Sequence, residues 1–100
     1  MLHAPGEGID LHLLASDRNR AMMPIVGVVA PGGGGDFAKH DGEELLVVLE
    51  GQILLELEGA APVVLERGDC AYYQSSQPHR WTNTGDSLAR VLSVSTPPRW

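Results

Sequence analysis

The chain has 100 residues, of which 43% are hydrophobic and 20% charged, and it carries a net charge of −6. This length is enough for one domain with a single hydrophobic core. The seven basic residues are scattered, so we expect no direct nucleic-acid binding by this chain. No apolar run approaches the ~20 residues of a membrane span. The first residues, MLHAPGEGID, also lack the features of a secretion signal, so we expect no membrane association and a cytoplasmic protein.

Glycine and proline divide the chain into short segments that have the length and composition of β-strands. In chain order these predicted strands are 9–15, 24–30, 36–40, 44–50, 52–58, 62–67, 69–74, 79–83 and 88–96. Turn residues separate them, for example the four glycines of 32–35 and the pair Asp41-Gly42. Short strands with turns at such regular intervals predict an all-β sandwich or barrel.

The stretch 43–58 is also compatible with an amphipathic helix, because it is rich in leucine and glutamate. Gly51, in its middle, would weaken a helix by about 1 kcal/mol relative to alanine. After this glycine the apolar residues Ile53, Leu55 and Leu57 recur with a period of two, which is typical of a strand. We therefore predict two antiparallel strands that turn near Gly51.

The strand predicted at 44–50 is apolar on both faces. Its alternating sets are Leu46 and Val48 on one face and Leu45, Val47 and Leu49 on the other. A face in contact with water would carry polar residues instead. We therefore expect a second layer or another subunit to cover the outer face, and we predict a homodimer. An extra N-terminal strand is expected to help to cover it, formed by Leu2, Ile9, Leu11, Leu13 and Leu14.

Two histidines and one glutamate are the candidate metal ligands. Asp36, Ala38 and His40 share one face of an extended strand, and the turn that follows returns the chain so that Glu44 comes beside His40. A pocket that also receives His79 would offer two imidazoles and one carboxylate. That donor set suits Fe(II), Mn(II), Ni(II) or Zn(II) and leaves coordination positions open. Alternatively, the three side chains bond an organic ligand, or only each other.

Three further residues are candidates for ligand binding: Tyr73, Trp81 and Asn83. Trp81 and Asn83 share the face of His79, so the tryptophan can stack on a ligand, although filling the barrel core is an equal alternative. Tyr72 and Tyr73 lie on opposite faces of their strand, so at most one of them lines the pocket. We name Tyr73 as the candidate and keep Tyr72 as the alternative.

Two motifs with fixed internal spacing resemble those of a known family, the cupins. The first family motif runs Gly, five residues, His-x-His, three or four residues, Glu, six residues, Gly. Here Gly32 is followed after five residues by Ala38 and His40, then after three by Glu44 and after six by Gly51. Every spacing matches, but Ala38 stands where the family has its first histidine.

The second family motif runs Gly, five residues, Pro-x-Gly, two residues, His, three residues, Asn. Gly68 begins this motif in the chain, and His79 and Asn83 occupy its last two positions. Gln-Ser-Ser, at 74–76, stands in place of Pro-x-Gly. The resemblance extends over residues 24–96 and so covers most of the chain.

Similarity to the cupins implies an all-β fold, the cupin barrel (a double-stranded β-helix, or jelly roll), in a single domain. Its core would be 24–96, and 1–23 would be an N-terminal extension with extra strands. The family pocket usually offers four ligands to a divalent transition metal such as Zn, Ni, Fe or Mn. Carried over by position, His40, Glu44 and His79 keep three of these ligands.

A narrower resemblance is to the C-terminal cupin domain of bacterial regulators that carry an N-terminal helix-turn-helix. It rests on the stretches HDGEELLVVLEG, LERGDCAYYQSSQPHRW and ARVLSVSTPP. In that setting the cupin senses an effector, so we expect a detached sensor domain or a stand-alone relative that binds a small molecule. We favour such a binding module over the alternative, a small metal-dependent enzyme of the dioxygenase or isomerase type.

Overall fold

The computed structural model describes residues 2–3, 7–15 and 19–98. They form nine strands: β1 (Leu2–His3), β2 (Glu7–Leu13), β3 (Met23–Gly34), β4 (Glu43–Glu50), β5 (Gln52–Leu57), β6 (Val63–Glu66), β7 (Cys70–Gln74), β8 (His79–Thr82) and β9 (Ala89–Thr96). The two strands predicted within 43–58 are confirmed as β4 and β5, with the turn at Gly51. A search of the described residues finds no helix with the length and apolar character needed to cross a membrane.

The strands pair antiparallel in one strongly curved sheet with the order β6-β5-β8-β3-β9-β4-β7, and β2 and β1 extend it beside β3. The turn between β6 and β7 connects the two ends of this order. Val48 donates its N–H to the carbonyl of Asp69 at 3.0 Å and accepts from the N–H of Gly68 at 2.8 Å. The sheet is thereby almost closed, and the all-β barrel implied by the motifs is confirmed.

The barrel interior changes from apolar to polar along β4 and β9. The register places Val48 beside Val91, Leu46 beside Ser93 and Glu44 beside Ser95, and all six side chains face inward and are buried. Val29 of β3, Ile53 and Leu55 of β5 and Leu65 of β6 complete the apolar part. Polar side chains are therefore concentrated at one end of the barrel, where the candidate ligands lie.

The strand predicted at 36–40 is wrong. Ala38 makes a single bridge to His79, and the segment between β3 and β4 is otherwise an extended connector. Two residues later the connector changes partner, because the N–H of His40 donates to the carbonyl of Ser75 at 2.9 Å. A segment that pairs first with β8 and then with the end of β7 cannot build a ladder with either.

The glycine run also differs from the prediction. It was expected to be a turn, yet β3 continues to Gly34, which pairs with Thr82 of β8. Gly32 has a φ of +77°, a backbone conformation that glycine adopts without strain. The glycines therefore let one long strand bend, so that its first part pairs with β9 and its end with β8.

The predicted N-terminal strand is present as β2, but it does not cover the outer face of β4. It pairs with β3 as an additional strand, and Ile9 is buried in the barrel core. The side chain of Leu2 lies outside the described residues. On the outer face of β4, Leu45 and Leu49 keep 37% and 44% of their surface exposed. The apolar outer face is therefore open in the described part of the single chain.

Gly42 is the residue that allows β4 to begin directly after the connector. Its φ is +104°, and a Cβ at this position would overlap the carbonyl oxygen of Thr96. Gly59 has a similar φ, +84°, but no atom of the described residues lies within 4 Å of the position where its Cβ would be. A side chain at Gly59 would therefore meet backbone strain alone, whereas one at Gly42 would meet backbone strain and steric overlap together.

We predict that Gly59→Ala lowers the free energy of unfolding by about 1–2 kcal/mol, because only the left-handed backbone is penalised. Gly42→Ala should lower it by roughly 1–3 kcal/mol more, because the methyl group must also displace its neighbours. Urea unfolding of both variants and the parent measures the difference. Equal losses in the two variants would contradict the packing argument.

Candidate metal centre

Three elements bring His40, Glu44 and His79 together at the polar end of the barrel. Glu44 is the second residue of β4 and is 2% exposed, and His79 is the first residue of β8 and is 5% exposed. His40 comes from the connector that precedes β4. One ligand atom from each residue lies within 4.8 Å of the other two. Residues distant in sequence thus meet as the spacing predicts, and their role toward a metal is taken up below.

The connector is fixed from both sides, which places the His40 imidazole. Ala38 and His79 exchange two backbone hydrogen bonds, each 2.9 Å long. On the other side, Ser75 donates its N–H to Gly42 at 2.8 Å and accepts from the N–H of His40 at 2.9 Å. The imidazole position is therefore set by backbone bonds to two different strands.

The two oxygens of the Glu44 carboxylate have different environments. Oε2 accepts a 2.5 Å hydrogen bond from the Tyr73 hydroxyl, which is also buried. Oε1 lies 3.6 Å from Nε2 of His40 and 3.8 Å from Nε2 of His79, and it accepts a 3.4 Å bond from the hydroxyl of Ser95. One oxygen is therefore held by the protein, and the other faces the imidazoles.

A backbone carbonyl fixes the tautomer of His79. Nδ1 lies 2.8 Å from the carbonyl oxygen of Gln77, and since a carbonyl only accepts, Nδ1 must carry the proton. In the neutral ring, Nε2 then bears a lone pair that is directed at Glu44. Nδ1 of His40 also lies near a backbone carbonyl, that of Asp41, but at the longer distance of 3.4 Å.

The donor set therefore fits a metal ion. A carboxylate oxygen and two imidazole nitrogens that face one another with lone pairs repel, unless a proton or a cation lies among them. Histidine ligands of metals usually donate their second ring nitrogen to a carbonyl or carboxylate, as His79 does here. Two imidazoles and one carboxylate suit Zn(II), Fe(II), Ni(II) and Mn(II).

The residues predicted to bind a ligand lie in three different environments. Tyr73 faces the three candidate ligands, His40, Glu44 and His79, which together form the donor cluster. The centre of its ring lies 5.1 Å from that of His79. Trp81 packs against the core, where its ring lies so close to Gly27 that a Cβ there would be 2.9 Å from the indole. Asn83 is fully buried and bonds the backbone of three residues: Val29, Gly85 and Ser87.

Tyr72 is the outward counterpart of Tyr73. It is 68% exposed, and its hydroxyl donates to the carboxylate of Glu43, which raises the pKa of the tyrosine. Adjacent tyrosines thus hydrogen-bond adjacent glutamates on opposite faces of the same strand pair.

Sequence reasoning did not identify two polar residues near the cluster. Ser95 bonds Glu44, and its signal was present in β9, where Ser93 and Ser95 alternate with Leu92 and Val94. The hydroxyl of Ser75 is fully buried and has no hydrogen-bond partner within the described part of the chain. Its burial follows from the pairing of the connector, which no sequence pattern predicted.

Comparison with known proteins agrees with this architecture. Residues 25–95 match the family model of the cupin domain. The HTH-type transcriptional regulators PuuR of Escherichia coli (strain K12) and Shigella flexneri are each 30% identical to this chain over 99 residues. These alignments cover 97% of this chain but 53% of each regulator, so the chain spans about half the length of the curated relatives it matches.

Two solved structures illustrate the shared fold. The Cupin_2 domain of an XRE family transcriptional regulator from Enterobacter cloacae superposes with a TM-score of 0.83 at 19% identity, covering 93% of this chain and 100% of that domain. A Thermotoga maritima protein described as a predicted oxalate decarboxylase gives 0.81 at 26% identity, covering 93% of this chain and 84% of its own. Because the family model matches well over half of the chain and the barrel has the fold of these domains, we conclude that the chain belongs to the cupin family.

Proposed function

We propose that the chain is a small-molecule-sensing module that holds a divalent transition metal through His40, Glu44 and His79. The observation that carries the proposal is the convergence of three potential ligand atoms within 4.8 Å of one another at the polar end of the barrel. Zn, Ni, Fe and Mn all accept these donors. When bound, the metal would supply a positive centre to which a nitrogen or oxygen atom of a ligand can bind.

The protein's own residues prepare this site. Tyr73 and Ser95 hold the carboxylate of Glu44, and the Gln77 carbonyl holds His79 in the tautomer that presents Nε2. Tyr73 and Trp81 are proposed to contact the ligand with their rings. For Asn83 the backbone bonds support a structural role, because both hydrogens of its amide are already donated.

The sensing role is supported by the two PuuR regulators, whose names describe transcriptional regulators. We propose that this domain binds an effector and that binding changes the activity of an attached or associated DNA-binding domain. Cytoplasmic location remains a prediction from the sequence.

A metal-dependent enzyme is the second candidate. It is supported by the structural similarity to the Thermotoga maritima protein described as a predicted oxalate decarboxylase, and by the open coordination positions of a three-donor site. Tyr73, whose hydroxyl makes the shorter of the two hydroxyl contacts with Glu44, is the candidate for moving a proton. Turnover of a molecule that also raises the melting temperature would favour the enzyme over the sensor.

We propose a homodimer that forms through the outer face of the sheet. The apolar side chains on this face form one continuous surface, the outer patch, across three paired strands. Val47 lies beside Leu92, Leu92 lies beside Val26, and Leu45 lies beside Val94. Apolar patches of this kind on soluble proteins commonly mark protein–protein contacts. A second copy of the chain would cover side chains that water otherwise contacts.

We predict that the purified protein contains a stoichiometric transition metal and that His79→Ala loses it, because two donors remain where three converged. His12→Ala is the matched control, since this histidine is exposed on β2. Elemental analysis of the three proteins after identical purification gives the answer. A metal-free parent that also fails to bind added Zn(II) would refute the metal proposal, as would full metal content in His79→Ala.

We predict that Tyr73→Phe weakens metal binding about 10- to 100-fold, the usual effect of removing a group that orients a ligand. Without the hydroxyl, Oε2 of Glu44 loses its partner and the carboxylate can rotate. Tyr72→Phe removes the same atom from the outer face and should leave affinity unchanged. Competition titration with a chelating dye measures both variants, and equal affinities would show that Tyr73 does not orient Glu44.

We predict that Val47→Lys converts the dimer to a monomer. An unpaired ammonium group in an apolar contact costs enough to raise the dissociation constant about tenfold or more. Val64→Lys, at a residue that is 50% exposed on β6, serves as the control and should remain dimeric. Light scattering after size exclusion reports the mass, and a parent that is monomeric at micromolar concentration would contradict the proposal.

A further inference from the structure

Ala38 faces the donor cluster. Residues that exchange two backbone hydrogen bonds in an antiparallel pair point their side chains to the same face, with Cβ atoms about 4.5–5.5 Å apart. Ala38 and His79 are such a pair. Since the imidazole of His79 faces Glu44, the methyl group of Ala38 lies on the same side.

The wall of the site is open at this residue. Ala38 is exposed, whereas its partner His79 and the nearby Glu44 are 5% and 2% exposed. The methyl group of Ala38 therefore meets solvent on the face that it shares with His79, beside donors that are otherwise buried.

The three residues of the donor cluster do not complete the coordination sphere of a transition metal. The group found among the described residues has three members, while transition metals in proteins take at least four ligands. The neighbouring connector residue Lys39 projects to the opposite face, since side chains alternate along an extended segment. Within the described part of the chain no further His, Cys, Asp or Glu joins the group, which leaves a position for water or for an atom of a bound molecule.

We propose that the space beside Ala38 is the binding position of the sensed molecule, and that this molecule completes the coordination sphere with a donor group of about the size of an imidazole ring. This inference rests on the proposed metal at His40, Glu44 and His79. The chemistry it selects is a small molecule with an accessible nitrogen or carboxylate donor on a compact head group. The ring size is inferred from the pairing, because Ala38 stands directly opposite His79, whose own imidazole belongs to the cluster.

The test uses the full chain loaded with Co(II), whose visible absorption reports the number and kind of its ligands. Imidazole and acetate are titrated separately into the parent protein. We expect a saturable spectral change with at least one of them. A response to imidazole assigns a nitrogen head group, and a response to acetate assigns a carboxylate.

Three variants locate the binding position. Ala38→His should show a changed spectrum without added ligand, bind Co(II) about tenfold or more tightly through a fourth protein donor, and lose the response. Ala38→Phe, a ring without a donor, should keep the parent's Co(II) affinity and also lose the response. Lys39→His adds an imidazole on the opposite face and should behave as the parent.

The outcomes separate the two proposals. If the parent protein binds no Co(II), the metal centre itself is refuted. If it binds Co(II) but neither probe changes the spectrum, the open position beside Ala38 is refuted while the metal centre stands. A full response in both folded Ala38 variants, or its loss in Lys39→His, would also overturn the inference. Ala38→Phe keeps the test decisive if Ala38→His is unstable.

Discussion

The buried carboxylate of Glu44 is the constraint around which the polar end of the barrel is built. An ionised carboxylate that is taken out of water costs several kcal/mol unless hydrogen bonds or opposite charge compensate it. Tyr73 satisfies Oε2, and Ser95 bonds the Oε1 atom that faces the two imidazoles. The surrounding residues are therefore explained by one requirement, a charge that must be compensated inside a barrel of otherwise apolar strands.

Strand β4 serves two surfaces because its side chains alternate. Its inward set, Glu44, Leu46 and Val48, runs from the candidate metal centre into the core, and its outward set forms part of the outer patch. β7 repeats the arrangement, with Tyr73 inside and Tyr72 outside. A movement of these two strands would therefore affect the site and the proposed dimer contact together, which is a physical route by which a sensor domain can report ligand binding.

The connector between β3 and β4 places two side chains beside the candidate metal centre. Its backbone is held by β8 at Ala38 and by Ser75, just after β7, at His40, so it does not become a strand. Ala38 is exposed, whereas His40 is one of the three residues whose ligand atoms converge. The proposed metal and the proposed ligand position therefore both depend on this one short segment.

Much of the architecture followed from local patterns. The period of two after Gly51 predicted a strand where composition also allowed a helix, and the same parity placed Tyr72 and Tyr73 on opposite faces. The turn residues Asp41-Gly42 predicted that the chain would return and bring Glu44 beside His40. These features depend on neighbours in the chain, which the sequence lists directly.

What the sequence by itself determined is therefore the alternation of side chains and the positions of some turns, such as the one at Gly51. Only the tertiary structure decided that Ser95 lies beside Glu44, that Ala38 pairs with His79, and that Asn83 bonds three backbone groups. The same holds for the segment 36–40, whose composition suits a strand but whose partners change after two residues. The physical reason is that alternation arises within a strand, whereas the choice of neighbouring strand depends on pairing between segments far apart in the chain, as for Met23 and Ser95.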